Sequence, residues 1–155
     1  MSAHRNGPPL KRVCIDENLP RPIALHLGQI WPRTRFDHVV DLGLRGTKDV
    51  DLAAALGEMR FDAILTQDFH MLFRREEAAA LAESGLSWIG IPVASGLRGR
   101  AGLSYLIATA VAGFPIITSA WHGAPAAYDL RPAPYTAAHL RVRALADIVS
   151  GIAVE

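Results

Sequence analysis

The sequence predicts an α/β fold, a three-layer α/β/α sandwich with a mostly parallel central sheet. Apolar segments with strand character alternate with segments of helical spacing through most of the chain. Strands that alternate strictly with helices are joined by right-handed crossovers, which give a mostly parallel sheet covered by helices on both faces. The 155 residues, 50% of them hydrophobic, suit a single domain with a sizeable core.

The individual elements follow from periodicity and from turn residues. Pro22 fits the first turn of a helix, and Thr47 can cap the next one. Gly113-Phe114-Pro115 predicts that the last helix ends there, before a short buried strand. Strands are therefore predicted at 12–16, 35–40, 61–66, 87–93 and 115–119, and helices at 20–30, 48–59, 71–84 and 100–112.

The two ends of the chain differ from its middle. Residues 1–11 form a flexible, mildly basic lead-in, residues 12–121 the main domain, and residues 122–155 a C-terminal extension packed on that domain. Three prolines in "GAPAAYDLRPAPY" predict an extended covering loop. The stretch 138–151 fits either an alternating strand or a short amphipathic helix, and the sequence leaves both open.

Charge and cysteine content restrict the class of protein. A net charge of +1 lacks the signature of a strongly basic nucleic-acid binder, although 14 of the 16 basic residues are Arg, which suits phosphate. Cys14 is the only cysteine, so no intramolecular disulfide can form, and within an apolar run it is interpreted as a small core residue. Without the apolar stretch of a secretory signal at the N-terminus, we expect a cytoplasmic protein.

Residues 101–121 carry no charge and are numerous enough to span a bilayer. The Gly-Phe-Pro interruption and four Ser and Thr residues favour a helix, a break and a strand in a protein that does not enter the membrane. This uncharged segment can complete either the core or a homodimer interface, and the sequence leaves that choice open.

Acidic side chains follow the predicted strands at the points where they end. Asp16 and Glu17 end the first strand, Asp68 follows the third, and Asp49 opens the helix after a Gly-rich loop. Ligands of open parallel sheets bind at the carboxyl ends of the strands, so we expect these acids to meet there. Asp41 is interpreted as a turn residue and Asp51 as a helix N-terminal charge. Other acids are placed at the opposite ends of elements or on helix surfaces: Asp62, Glu76, Glu77 and Glu83.

Converging carboxylates repel one another unless a cation lies between them. Carboxylate oxygens are hard ligands that suit Mg²⁺ or Mn²⁺, and two such ions about 4 Å apart can activate water for phosphodiester cleavage. No phosphate-binding Gly loop, zinc-type Cys/His spacing or H-E-x-x-H motif competes with this interpretation.

Further candidates lie near these acids. His70, two residues after Asp68, is either a general base or ligand, or simply an exposed loop residue. Two arginine pairs fit either RNA phosphate binding or a solvated surface: Arg74 with Arg75, and Arg98 with Arg100.

Three motifs in order, "IDENLP", "VVDLGLRGTKDVDL" and "ILTQDF", resemble the PIN-like domain family, a branch of the PIN nuclease superfamily often encoded as the toxin of a toxin–antitoxin pair. The resemblance implies a Mg²⁺- or Mn²⁺-dependent ribonuclease whose partners are RNA and an antitoxin. Carried over by motif, the catalytic and metal-binding residues are Asp16, Asp49 and Asp68, with Glu17 as a further ligand and Asn18, Thr66 and His70 in support.

His70 stands where many members of this family have a second Asp. This departure supports an alternative, a catalytically degenerate member that acts as a partner-binding module. A phosphate-accepting receiver domain also has paired acids after its first strand, but it requires a lysine after the last strand, and the sequence has no Lys beyond Lys48.

Overall fold

The structure, a computed structural model, describes residues 7–93, 96–132 and 143–146, and in them five strands form one parallel sheet. The strands are β1 (Arg12–Ile15), β2 (Arg35–His38), β3 (Ala63–Thr66), β4 (Ser87–Gly90) and β5 (Ala127–Asp129). Their order is β2-β1-β3-β4-β5, and all four neighbouring pairs are parallel. The predicted α/β fold class is therefore confirmed.

Helices cover both faces of this sheet. They are α1 (Pro22–Ile30), α2 (Asp49–Glu58), α3 (His70–Phe73), α4 (Arg75–Glu83) and α5 (Gly99–Ala120). Because successive strand residues point to opposite faces, Ile15 and Leu65 pack with α1 and α5, whereas Cys14 and Ile64 pack with α2, α3 and α4. These two cores give the three layers of the sandwich.

The strand order places a crevice between two central strands. From β1 the chain crosses to β2 on one side, and from β2 it returns past β1 to β3 on the other side. In open α/β sheets, such a reversal leaves a binding crevice outside the carboxyl ends of the two strands. The residues that follow β1 and β3 therefore have the position of a functional site.

The predicted strand at 115–119 is wrong, because α5 continues through Pro115 to Ala120. Leu106, Ala110, Phe114 and Ile117 are all buried at helical spacing, so one apolar face of the helix extends across the proline. Pro115 itself is exposed. Burial of this face outweighs the loss of one backbone hydrogen bond at the proline.

The fifth strand lies in the segment that was predicted as a covering loop. β5 pairs with β4 from Ala127 opposite Trp88 to Asp129 opposite Gly90. Pro125 and Pro132 flank this edge strand and leave its three residues free to pair. The part of the C-terminal extension that the structure describes thus completes the sheet, and most of the stretch 138–151 lies outside the described residues.

The single helix predicted at 71–84 is two helices. Arg74 has an extended backbone, with φ −92° and ψ 111°, and separates α3 from α4. Glu76 and Glu77 lie in the first turn of α4, where negative charge favours a helix start. This pair of acids was the sequence signal for a second helix.

Two further expectations concern the lead-in and Cys14. Leu10, within the lead-in predicted to be flexible, is buried, and the Lys11 and Arg12 amides donate to Asp62 Oδ2, so the packed domain begins before residue 12. Burial, then the charge of Asp16, raises the pKa of the Cys14 thiol to about 12. The thiol therefore stays protonated, and its interpretation as a core residue is confirmed.

The helix α5 is long and apolar enough to cross a bilayer by length and composition, with a mean hydropathy of 1.6. Of that apolar window, 39% is buried within the protein. Core helices of folded domains meet the same criterion, and the inner face of α5 packs on the sheet.

Candidate active site

Asp16 is a buried carboxylate at the carboxyl end of β1, with 8% of the residue exposed. The Thr66 hydroxyl, at the end of β3, donates to its Oδ2 across 2.6 Å, and the Glu17 amide donates to its Oδ1 across 2.7 Å. The Asp16 amide in turn donates to the Leu65 carbonyl. The ends of the two central strands are thus joined through this aspartate.

Thr66 also connects two loops at the rim of the sheet. Its oxygen accepts hydrogen bonds from the Asn18 side chain at 3.1 Å and from the Asp68 amide at 2.9 Å. Asn18 Oδ1 accepts from the Gln67 amide at 3.2 Å, so the loop after β1 and the loop after β3 hold each other. The structure therefore joins Asp16, Asn18, Thr66 and Asp68 in one hydrogen-bond network.

Asp68 shapes the turn that leads into α3. Its Oδ1 accepts the His70 amide at 2.8 Å, and its carbonyl accepts the Trp88 indole N–H at 3.3 Å. The His70 side chain is exposed. This turn fixes where Asp68 lies and leaves the imidazole in solvent.

Glu17 is exposed and turns toward the Gly-rich loop after β2. Its Oε2 accepts the Gly46 amide at 3.3 Å. The left-handed φ of Gly46, 73°, lets the loop backbone turn at this point. Glu17 therefore holds the loop that leads to Asp49, and its role as a metal ligand stays a prediction.

Asp49, in the first turn of α2, faces a carboxylate that the sequence reasoning had placed on a helix surface. Burial, then the charge of Glu77, raises the pKa of Asp49, with smaller contributions from Asp68 and Asp16 and from the carboxyl contact with Glu77. The assignment of Glu77 to a helix surface or a distant edge is thus wrong. Packing of α2 against α4 brings the two acids together, and no sequence signal gave that pairing of helices.

Glu77 carries a buried oxygen that lacks a donor. Its side chain is 14% exposed, and Oε1 accepts from Arg74 Nη1 at 3.0 Å. Oε2 is buried and has no hydrogen-bond partner among the described residues. When Asp49 and Glu77 are both ionised, a proton or a cation bound between the two carboxylates would relieve their repulsion.

The pKa of Asp16 is also raised. Burial is the main cause, the Thr66 and Glu17 hydrogen bonds act in the opposite direction, and the charges of Glu17 and Asp68 add to the rise. The charge of Asp68 thus acts on both Asp16 and Asp49, and these three acids lie at a single rim.

Of the predicted arginines, Arg74 lies beside these acids. Its hydrogen bond and charge interaction with Glu77 raise its pKa, and Asp68 and Asp49 contribute in the same direction. Arg75, Arg98 and Arg100 are exposed, and the last two flank the start of α5. Their role in phosphate binding stays a prediction.

The donor chemistry of this rim fits a hard divalent cation. Neighbouring acids contribute to the raised pKa of Asp16 and of Asp49, and the buried Glu77 Oε2 lacks a partner that a cation would supply. Within the described residues, no three His, Cys, Asp or Glu side chains already stand close enough to form a ligand group. The rim offers suitable ligands without a preformed coordination shell.

Comparison with protein families gives one match that covers more than half of the chain. Residues 12–92 match the family model of the PIN like domain. This range includes all four rim acids, Asp16, Asp49, Asp68 and Glu77. No curated protein and no solved structure matches the chain.

Proposed function

The chain belongs to the PIN-like domain family, whose members are generally nucleases, and from this premise we propose that it is a divalent-metal-dependent endoribonuclease. The observation that carries the proposal is the hydrogen-bond network that joins Asp16 and Asp68 through Thr66 at the carboxyl ends of β1 and β3. The charges of Glu77, Asp68 and Asp16 also act on Asp49, so these acids lie at one rim. The position is the crevice where open parallel sheets bind ligands. A divalent cation would neutralise the negative charge of these carboxylates.

Asp16, Asp49, Asp68 and Glu77 would hold Mg²⁺ or Mn²⁺, with Glu17 beside them. When bound, such an ion lowers the pKa of a water molecule and offsets the charge that develops on the phosphodiester. The expected products carry 5′-phosphate and 3′-hydroxyl ends.

The protein side chains have distinct tasks in this proposal. Thr66 donates its hydroxyl proton to Asp16, which opposes the rise in the pKa of that carboxyl and fixes its direction. Asn18 holds the two loops that carry Asp16 and Asp68. Arg74, beside Glu77 and 60% exposed at its side chain, is placed to bind a phosphate of the substrate.

The test is cleavage of a 5′-labelled single-stranded RNA by the purified protein with Mn²⁺, with the product ends determined. Asp49→Asn should lower the rate constant by at least about a hundredfold, the size of effect found when a group that stabilises the transition state is removed. Asp51→Asn is the matched control, because Asp51 is an exposed acid in the same helical turn. Equal rates for both variants, or no metal-dependent cleavage by the unaltered protein, would refute the proposal.

We further propose that the enzyme is the toxin of a toxin–antitoxin pair and acts in the cytoplasm. The family match supports the nuclease half of this statement. Induced expression in bacteria should arrest growth, and Asp16→Asn should relieve the arrest. Arrest that persists in Asp16→Asn at equal protein levels would contradict the toxin proposal.

A second candidate function is a partner-binding module without catalysis. Two observations favour it: His70 stands in the position of a family Asp, and the described acids form no ready ligand group. Calorimetric titration with Mn²⁺ separates the candidates. The nuclease should bind the ion in a manner that depends on Asp16 and Asp68, and the module should not.

A further inference from the structure

The side chain of Phe73 is 82% exposed, the largest exposed fraction among the big apolar side chains that the structure describes. The other exposed side chains of this kind in the described residues are aliphatic or methionine, so no Trp, Tyr or second Phe is exposed there. Phe73 ends α3, the short helix that begins two residues after Asp68. A single exposed apolar residue is common on protein surfaces. Phe73 is a candidate for a functional role because it lies close to the rim acid Asp68 in the chain.

The exposure of Phe73 is imposed by well-packed neighbours. Met71 is 1% exposed in the core, and Phe69 packs edge-on against Trp88 with ring centroids 5.1 Å apart. The Asp68 side chain accepts the His70 amide and so fixes the first turn of α3. The packing of α3 therefore holds the Phe73 ring outward.

The surface around this ring carries cations and a second flat ring. His70 and Phe73 are three positions apart on α3, so they share one helix face, and both are exposed. Arg74 and Arg75 follow directly, and Arg74 lies within the electrostatic reach of Asp68 and Asp49. Flat rings beside guanidinium groups are the combination that binds unpaired nucleotides by stacking and by phosphate contact.

We propose that Phe73 is a base-stacking platform that selects single-stranded RNA and positions it at the rim acids. An unpaired base stacks on the Phe73 ring while Arg74 and Arg75 contact the adjoining phosphates. Bases within a duplex are already stacked and cannot reach the ring. The inference rests on the proposed function for its substrate class, and it adds the form of RNA and a residue that recognises it.

Binding without catalysis tests this platform separately from the nuclease reaction. Fluorescence anisotropy is measured on a labelled single-stranded RNA 12-mer, and on the same sequence as a duplex, in metal-free buffer. The variants are Phe73→Ala, Phe73→Trp and Ile116→Ala. Ile116 is the control because its side chain is 69% exposed on α5, which packs on the opposite face of the sheet.

Phe73→Ala should weaken binding of the single strand at least about fivefold, in keeping with the contribution of one stacked base. Ile116→Ala should bind like the unaltered protein, and duplex affinity should be the same for all variants. Phe73→Trp should restore binding, and its added indole emission should be quenched by the RNA. Trp88 and Trp121 are buried, whereas Trp31 is partly exposed on the face of the sheet that α1 and α5 cover. The quenching that Phe73→Trp shows beyond that of the unaltered protein therefore reports on position 73.

Unchanged single-strand affinity in Phe73→Ala would overturn the inference, and so would an equal loss of duplex affinity. A shift from dimer to monomer in Phe73→Ala, seen by light scattering, would also overturn it and assign the ring to a protein contact. If Phe73→Ala cleaves RNA as fast as the unaltered protein, the stacking inference fails and the nuclease proposal stands. If RNA binding depends on Phe73 but the protein cleaves no RNA, the nuclease proposal fails and the stacking inference stands.

Discussion

Thr66 donates its hydroxyl proton to the buried carboxylate of Asp16 across 2.6 Å, and this bond joins the ends of the two central strands. Thr66→Val keeps the shape of the side chain but leaves the buried Asp16 Oδ2 without its donor. We expect a loss of about 1–3 kcal/mol in the free energy of unfolding at neutral pH, measured by urea denaturation. Thr66→Ser should recover most of it. Equal stability of the Val and Ser variants would show that the hydroxyl does not hold Asp16.

Acidic pH should stabilise the metal-free protein through Asp16. Burial raises the pKa of this carboxyl above its ordinary value. A group with a raised folded pKa holds its proton more tightly in the folded state, so stability falls as the pH rises through the window from about 4 to the folded pKa. From pH 7 to pH 4, the unfolding free energy of the unaltered protein should therefore rise relative to that of Asp16→Asn. If the unfolding free energy of the unaltered protein stays constant or falls relative to that of Asp16→Asn toward acidic pH, the predicted direction is wrong.

Glu77→Gln should weaken Mn²⁺ binding by at least about tenfold, since residues that ligate or support a metal have effects of this size. The measurement is thermal unfolding with and without Mn²⁺. The ion should raise the melting temperature of Glu77→Gln less than that of the unaltered protein. Glu76→Gln is the matched control, because Glu76 lies in the same helical turn and is exposed. Equal shifts in melting temperature for both variants would remove Glu77 from the site.

Gly90→Ala should disturb the site from within β4. A Cβ at residue 90 would meet the Trp88 ring, and the Trp88 indole N–H donates to the Asp68 carbonyl. Overpacking of this kind costs about 1–3 kcal/mol, measured by urea denaturation. Trp88→Phe removes the indole donor without overpacking and should lower RNA cleavage with less loss of stability. A Gly90→Ala protein with unaltered stability would show that the ring can move at little cost.

The parallel sheet and most of its helices could be predicted because their signals are local. Apolar alternation and turn residues identified β1, β3 and β4, and strand ends placed Asp16 and Asp68 at one rim. The continuation of α5 through Pro115 could not be predicted, because a proline usually ends a helix and the burial of Phe114 and Ile117 is a tertiary effect. β5 was missed because an edge strand of three residues is too short for periodicity.

Tertiary contacts explain why Glu77 and Phe73 were missed as candidate functional residues. Glu77 joins the site through the packing of α4 against α2, a contact between residues 28 positions apart that no local pattern encodes. Phe73 lies in an apolar stretch of the sequence, and its exposure follows from the packing of its neighbours Met71 and Phe69. Motif resemblance, by contrast, identified Asp49 through its place after the Gly-rich loop.

The acids at the ends of β1 and β3 are proposed to share a divalent ion. An anomalous difference map from a crystal grown with Mn²⁺ would locate that ion. We expect a peak within about 2.5 Å of carboxylate oxygens of Asp16, Asp49 and Asp68, with Glu77 turned toward it. A well-ordered rim without a peak at saturating Mn²⁺, or a Mn²⁺ peak held elsewhere on the protein, would contradict it.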